Sequence, residues 1–463
     1  MKPKKTKLKT PHTSVHGHPV SFSKALHQTK KFYLLVSLLV ISTATGAQNP
    51  ILIGKAYNSD PQARVWTIGG EPRLFVYGSR DEDPSYYCSG KYDVFSTTDM
   101  INWTGGPAFS SAEVRYNDEV LYAPDCIERN GKYFLFYSQP GANPEGTAVS
   151  DSPYGPFKDG KPVVWANQID PSVFIDDDGQ AWMFWGQFSA KCAKLNPDMR
   201  SIDPSTIKDG IITEAEHHFH EGIQVFKHDG TYYLVFADIS RRGMPTCLGY
   251  ATSDCVTGPY TYRGVIIDNF GSDPAVWNNH GSVVKFKNQW HVFYHRSSQG
   301  SNTMRQSCVE PIRILPDGSI PEVEMTSTGA GKPLDPYLAP GADPVTGRAC
   351  FLTGHVRIGA SFSLEEIRDN DTAAWKDFDF KDGPRKMIIS VRPEAGGVLE
   401  VYSEYLYGST VATFKIPQGD GKTIVTLEAE VGRDITGVSP LRMRFHGNKD
   451  TNLFSLISFR FEK

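Results

Sequence analysis

The sequence predicts an all-β fold, a five-bladed β-propeller followed by a β-sandwich, and three observations carry that reading. One stretch recurs in five versions: DPQARVWTIGGEPRLFVYGSR from Asp60, APDCIERNGKYFLFYSQ from Ala123, DPSVFIDDDGQAWMFWGQ from Asp170, EGIQVFKHDGTYYLVFAD from Glu221 and HGSVVKFKNQWHVFYHR from His280. Each reads as two half-buried strands around a polar turn, and the interval of roughly 45–65 residues suits a blade of about four strands. A second echo keeps register with the first: AVSDSPYGPF from Ala148 and ATSDCVTGPY from Ala251 each follow a hairpin by a similar distance. Finally, from about Asn49 to Pro340 the chain is made of short aromatic-rich runs punctuated by Gly, Asp, Asn and Pro, with no convincing amphipathic helix.

The elements follow in order. The start is basic and polar up to Lys31, then runs FYLLVSLLVI from Phe32 to Ile41 and closes with small residues before Gln48. That is the pattern of a signal peptide over residues 1–47, with an apolar core too short to span a bilayer. The propeller is expected over 48–340. Its end, GAGKPLDPYLAPGADPVTG around residues 329 to 347, reads as a linker because Gly and Pro dominate it. Beyond it, KMIISVRP, GVLEVYSEY, KTIVTLEAEV, LRMRFHG and FSLISFRFEK are spaced like strands of a sandwich, placed at 341–463.

Composition narrows the function classes. A net charge of -4 and a pI near 6.4 leave no basic footprint for nucleic acid. Seven cysteines in a chain of 463 residues make no disulfide scaffold, and their odd number leaves at least one unpaired within the chain. Most sit in or beside apparent strands, as small buried hydrophobes do. No CxxC pair and no HExxH is present, so a zinc site has little support.

In a propeller the innermost strand of each blade lines a central channel, so residues at equivalent strand starts point to a common axis. Asp60, Asp170, Glu221 and His280 lead four of the repeats, while the second leads with Ala123 and carries Asp125 two positions on, on the same face of a regular strand. Gathered carboxylates repel and raise one another's pKa, which does nothing for folding. Carboxylates with split pKa values are what glycoside hydrolysis uses. The plainer reading is that Asp before Pro at a strand entrance bonds its own backbone, as Asp176, Asp177 and Asp178 do in a turn. Glu221 argues against it, because Glu is a weaker turn former and lies in HHFHEG just ahead of an apolar strand.

These motifs carry a family resemblance. SDPQARVW, YAPDCIERNGKYFLFYS, IDPSVFIDDDGQAWMFWG, FHEGIQVFKHDGTYYLVFAD and NNHGSVVKF with the later VEPI together resemble glycoside hydrolase family 43, a five-bladed propeller family, from about Asn49 to Pro340. The resemblance implies that Asp60 matches the general base, Asp170 the aspartate that orients the acid and tunes its pKa, and Glu221 the general acid. It also implies inversion at the sugar carbon, for which the two reacting carboxyls stand about 6.5–9.5 Å apart. His280 matches an axial histidine that contacts a water network or a bound calcium ion; otherwise no cofactor is implied. Arg305, in NTMRQSCVEPI, resembles an arginine that reaches the terminal sugar, Asp125 reads as structural support, and Trp277 in DPAVWNNHG is the aromatic expected in the pocket. Trp182 and Trp290, inside repeat strands, are expected between blades.

The C-terminal region, through GGVLEVYSEYLYGSTVATFKIP and ITGVSPLRMRFHGNKDTNLFSLISFRFEK, is similar to a family 6 carbohydrate-binding module over roughly residues 350 to 463. It departs in lacking a tryptophan near GDGKTIVTL; its only Trp is Trp375. The function implied is an exported, periplasmic or secreted, exo-acting glycosidase whose partner is a polysaccharide or oligosaccharide, with no nucleic acid and no membrane span in the mature chain. The sugar most in keeping is α-L-arabinofuranosyl, with β-D-galactofuranosyl and β-xylosyl as alternatives. Two further readings stay open: a sugar-binding propeller without catalysis, and a retaining fructosidase type with an Asn-Asp-Pro motif, against which the chain reads Asn58-Ser59-Asp60-Pro61.

Overall fold

The computed structural model describes residues 48–463 except 115–118, 142, 340–342, 407 and 433, so the expected signal peptide lies outside the described residues. All five repeats form antiparallel hairpins, with innermost strands Asn58–Ile68, Tyr122–Arg129, Ser172–Ile175, Phe219–His228 and Ser282–Phe286. Four close on a two-residue turn with both φ angles positive: 61° and 89° at Gly69-Gly70, 54° and 75° at Asn130-Gly131, 48° and 83° at Asp229-Gly230, and 48° and 64° at Lys287-Asn288. Asn-Gly and Asp-Gly suit that turn because its twist matches the twist of the paired strands. Among the described residues four blades are four-stranded sheets and the fifth has three strands.

Because each strand buries apolar side chains on both faces, the core divides into clusters between neighbouring blades. Tyr77 and Tyr92 meet Cys126 and Tyr137 between blades one and two, and Phe136 meets Met183 and Trp185 between two and three. Trp182 meets Ile223 and Leu234, Tyr233 and Leu248 meet Val292 and Tyr294, and Leu74 and Val76 meet Phe293 and Val309, which closes the ring. Trp290 packs tilted, at 5.2 Å, against Phe226 of the fourth blade. Polar bonds seal the same closure: the Ser282 hydroxyl donates to Pro61 O at 2.8 Å and accepts from Ala63 N at 2.9 Å.

The sandwich is two five-stranded sheets, one running Phe351–Thr353, Thr372–Asp379, Val438–His446, Gly397–Tyr402, Ala412–Ile416 and the other Arg357–Ile358, Leu364–Glu365, Phe454–Glu462, Lys386–Pro393, Val425–Glu430. Trp375, Phe378, Phe459 and Phe461 fill it. Trp375 is fully buried, with its ring N–H donated to Val345 O at 2.7 Å. The segment read as a linker packs against this domain. Leu334 enters the sandwich core, donating to Asp377 O at 2.8 Å and accepting from Asp379 N at 3.0 Å. Leu334 and Tyr337 give the Gly- and Pro-rich run an apolar anchor that composition alone hides.

Antiparallel order within a blade puts the start of the innermost strand and the turn between second and third strands on one face. That face therefore carries residues 81–90, 139–141, 143, 186–188, 239–246 and 299–300, together with the described connections between blades.

Candidate active site

The axial face holds a cavity of about 550 Å³ whose walls include Asp60, Asp170, Glu221, Trp277, His280 and Arg305, so all six residues singled out in the sequence meet there. Local backbone irregularity aims the carboxylates. Asp60 and Asp170 have φ of 51° and 60°, and Gly222, next to Glu221, has 71°. Strand register breaks between Ser59 and Gln62 and on both sides of Glu221. Bulges of this kind turn a strand-entrance side chain toward a site. A similar break between Tyr122 and Asp125 undoes the simple alternation expected of the second repeat. Ala123 lines the cavity, while Asp125 sits behind it, accepting from Arg64 Nε at 2.9 Å, from the Ser172 hydroxyl at 3.1 Å and from Val173 N at 2.8 Å. Three blades are tied together at that one carboxylate.

The three pocket carboxyls have different surroundings. Asp60 accepts from Arg305 Nη1 at 2.8 Å and from the Ser79 hydroxyl at 2.8 Å, and its backbone N–H donates to His295 Nδ1 at 3.2 Å. Burial pushes its carboxyl up, but Arg305, His280, His295 and Ser79 outweigh burial and hold it at about 2. Asp170 has no comparable cation; burial, then the charges of Glu221, Asp60 and Glu145, push it well above the ordinary carboxylate range. Glu221 accepts from Gln187 Nε2 at 2.9 Å, with His220 Nε2 at 3.9 Å from the same oxygen. One carboxylate is thus fixed as the anion beside a second that favours its proton.

Arg305 is 2 % exposed, which excludes a surface role. It donates to Asp81 through Nε and Nη2, both at 2.9 Å, and its guanidinium lies 5.3 Å from the ring centre of Tyr87. The buried His280 and His295 are shifted toward the neutral form, first by desolvation, with His295 at about 3. His280 Nδ1 faces Asp170 Oδ2 at 3.8 Å, and the Gly222 backbone packs on its ring. Among the described residues no group of three His, Cys, Asp or Glu side chains is set to hold a metal ion. A calcium ion at His280 would find one imidazole there.

Several pocket residues escaped the sequence reading. Tyr87 and Cys88 come from a turn between second and third strands that carries no repeated motif, Gln187 closes the third repeat at the end away from its leading carboxylate, and Asp81 and His295 stand behind Arg305 and Asp60. Cys88, read only as a buried hydrophobe, accepts from Arg305 Nη2 at 3.3 Å and lines the cavity. All seven cysteines are free, and only Cys255 is exposed.

Acidic side chains converging with an arginine at the mouth of a five-bladed propeller define a class, the propeller glycoside hydrolases. Comparison with known proteins makes the assignment specific: residues 26–320 match the model of glycosyl hydrolases family 43, and the chain belongs to that family. Members of that family are glycoside hydrolases. An arabinoxylan arabinofuranohydrolase of Bacillus subtilis is 29% identical, the alignment covering 91% of this chain and 93% of the relative. A xylosidase/arabinosidase of Thermoclostridium stercorarium is 27% identical, over 74% of this chain and 86% of that protein. The crystal structure of a family 43 arabinoxylan arabinofuranohydrolase from Bacillus subtilis in complex with cellotetraose superposes with a TM-score of 0.53 at 25% identity, covering 90% of this chain and 98% of that one.

Proposed function

We propose that the protein is an exported, inverting, exo-acting glycosidase that removes terminal α-L-arabinofuranosyl groups from a polysaccharide. The observation that carries this reading is the division of labour among the pocket carboxyls. Asp60, held ionised by Arg305, is suited to take a proton from the attacking water. Glu221 is suited to protonate the leaving oxygen on the opposite side of the sugar, and Asp170, pushed above the ordinary carboxylate range beside His280, to orient that acid. Arg305, His280 and Trp277 line the wall where a terminal sugar would lie. Support for arabinofuranosyl over other sugars comes from the Bacillus subtilis enzyme, which is alignable through both domains rather than the propeller alone. The xylosidase/arabinosidase relative favours β-xyloside as a second substrate. Sugar binding by the sandwich is no part of the proposal, since its one tryptophan is in the core.

The test is a panel of aryl glycosides (α-L-arabinofuranoside, β-D-galactofuranoside, β-D-xyloside, β-D-fructofuranoside) assayed after dialysis against EDTA, with product anomer followed by NMR. Release of arabinose with inverted configuration, lowered roughly 10²–10⁴-fold by Asp60→Asn, is the expected outcome. Glu221→Gln is expected to lose less on an aryl glycoside than on a natural linkage, because a good leaving group needs little protonation. A retained anomer or a fructoside signal would overturn the reading, and activity restored only by calcium would place a metal in the site.

A further inference from the structure

The wall beside Glu221 continues outward onto an exposed aromatic ring. Gln187, whose side chain bonds Glu221, is followed by Phe188, which is 51% exposed although folding gains nothing from an apolar ring left in water. The ring is held in place. Phe188 has a φ of 63°, rare for an aromatic residue, and both its backbone groups are engaged: its N–H donates to His220 O at 2.8 Å, and its carbonyl accepts from Glu214 N at 2.9 Å. Its side chain meets the His220 ring at 83° and 5.1 Å, and His220 Nδ1 is 2.9 Å from Glu214 Oε1. Two other exposed rings of this face serve less well: Phe270 is already covered by the Arg242 guanidinium at 4.0 Å, and Trp277 belongs to the pocket itself.

Resting on the reading of Glu221 as the general acid, the geometry points to Phe188 as the platform for the leaving group. The acid protonates the oxygen that joins the departing sugar to its chain, so the chain must lie on the Glu221 side of the pocket. The ligand is a pyranose ring of the polysaccharide backbone, whose apolar C–H face stacks on an aromatic ring. His220 and Glu214 act as props that fix the ring before substrate arrives, which lowers the ordering cost of binding.

The experiment compares Phe188→Ala and Phe188→Tyr with the full-length wild type on two substrates: α-L-arabinofuranosyl fluoride, whose leaving group is one atom, and an arabinofuranosyl-substituted xylo-oligosaccharide. For Phe188→Ala, kcat/KM on the oligosaccharide is expected to fall about tenfold, a loss typical of one stacking platform. The fluoride should stay within about twofold, inhibition by free arabinose should be unchanged, and Phe188→Tyr should restore most of the loss. Equal losses on both substrates, or none on the oligosaccharide, would overturn the assignment. A wild type silent on both would instead remove the arabinofuranosyl reading from which the substrates are chosen.

Discussion

At the scale of single residues, Arg305 sets the state of the pocket. It joins Asp60 to Asp81 with both carboxyls buried, and breaking one partner of a buried pair leaves an uncompensated charge that costs about 3–5 kcal/mol. Arg305→Ala is therefore best combined with Asp81→Asn, which removes the stranded charge. In that double variant Asp60 loses the strongest influence opposing its burial, so its pKa rises and the acidic limb of kcat/KM should move up by more than one pH unit. The sign for stability follows from the same depression. A carboxyl lowered from 3.8 to about 2 contributes stability that is complete above about pH 4 and lost as pH falls toward 2. A titration of activity and of thermal midpoint between pH 2 and 6 checks both. The leading carboxylates were legible in sequence because each opens a repeated motif; Cys88 and Asp81 were not, because they lie in a turn outside the repeated stretch.

At the scale of elements, the irregular strand entrances explain which carboxylates reach the cavity. Gly222 is the informative position, for its φ of 71° disfavours any side chain, and a Cβ there would stand 3.0 Å from His280 Nδ1. Gly222→Ala should cost about 1–2 kcal/mol of stability and lower kcat more than that loss of folded protein accounts for, since both Glu221 and His280 are displaced. Thermal denaturation and steady-state kinetics on the same preparation separate the two effects. The hairpins could be read from their alternation and turn residues, and so could the long sandwich strands such as Lys386–Pro393. Arg357–Ile358 and Leu364–Glu365 could not: two residues are too few to show a period, and only the packed sheet makes them strands. The bulges at Asp60 and Asp125 were hidden for a related reason, because alternation assumes a regular strand.

At the scale of the molecule, the sandwich supports the face that carries the pocket. Leu352 N donates to Gly271 O at 2.7 Å, Gln299 N to Ile358 O at 2.7 Å, and Arg357 Nη1 to Gln299 O at 2.8 Å. The first of these holds the connection that ends in Trp277 and His280. The other two hold the turn whose Gly300 N donates to Asp273 Oδ2 at 3.1 Å in that same connection. Removing residues 341–463 should therefore lower the thermal midpoint and raise KM even for an aryl glycoside too small to touch the sandwich. A truncated protein with wild-type KM on that substrate would reduce the domain to an appendage. The dependence is mutual, because Leu334 and the propeller's closing segment are buried against the sandwich.

The bonds that close the ring also set a timetable for making the protein. Asn49 Nδ2 donates to Val309 O across 260 positions, and Arg348 Nη1 donates to Asn49 O at 3.1 Å across 299. At a synthesis rate of about 5–20 residues per second, the segment at Asn49, ahead of the first strand, waits on the order of 15–60 s for partners that do not yet exist. Contacts this distant along the chain also form slowly once available. The nascent polypeptide thus spends most of its synthesis as an open, unclosed arc, and the active pocket comes into being only when the last blade and the start of the sandwich arrive together.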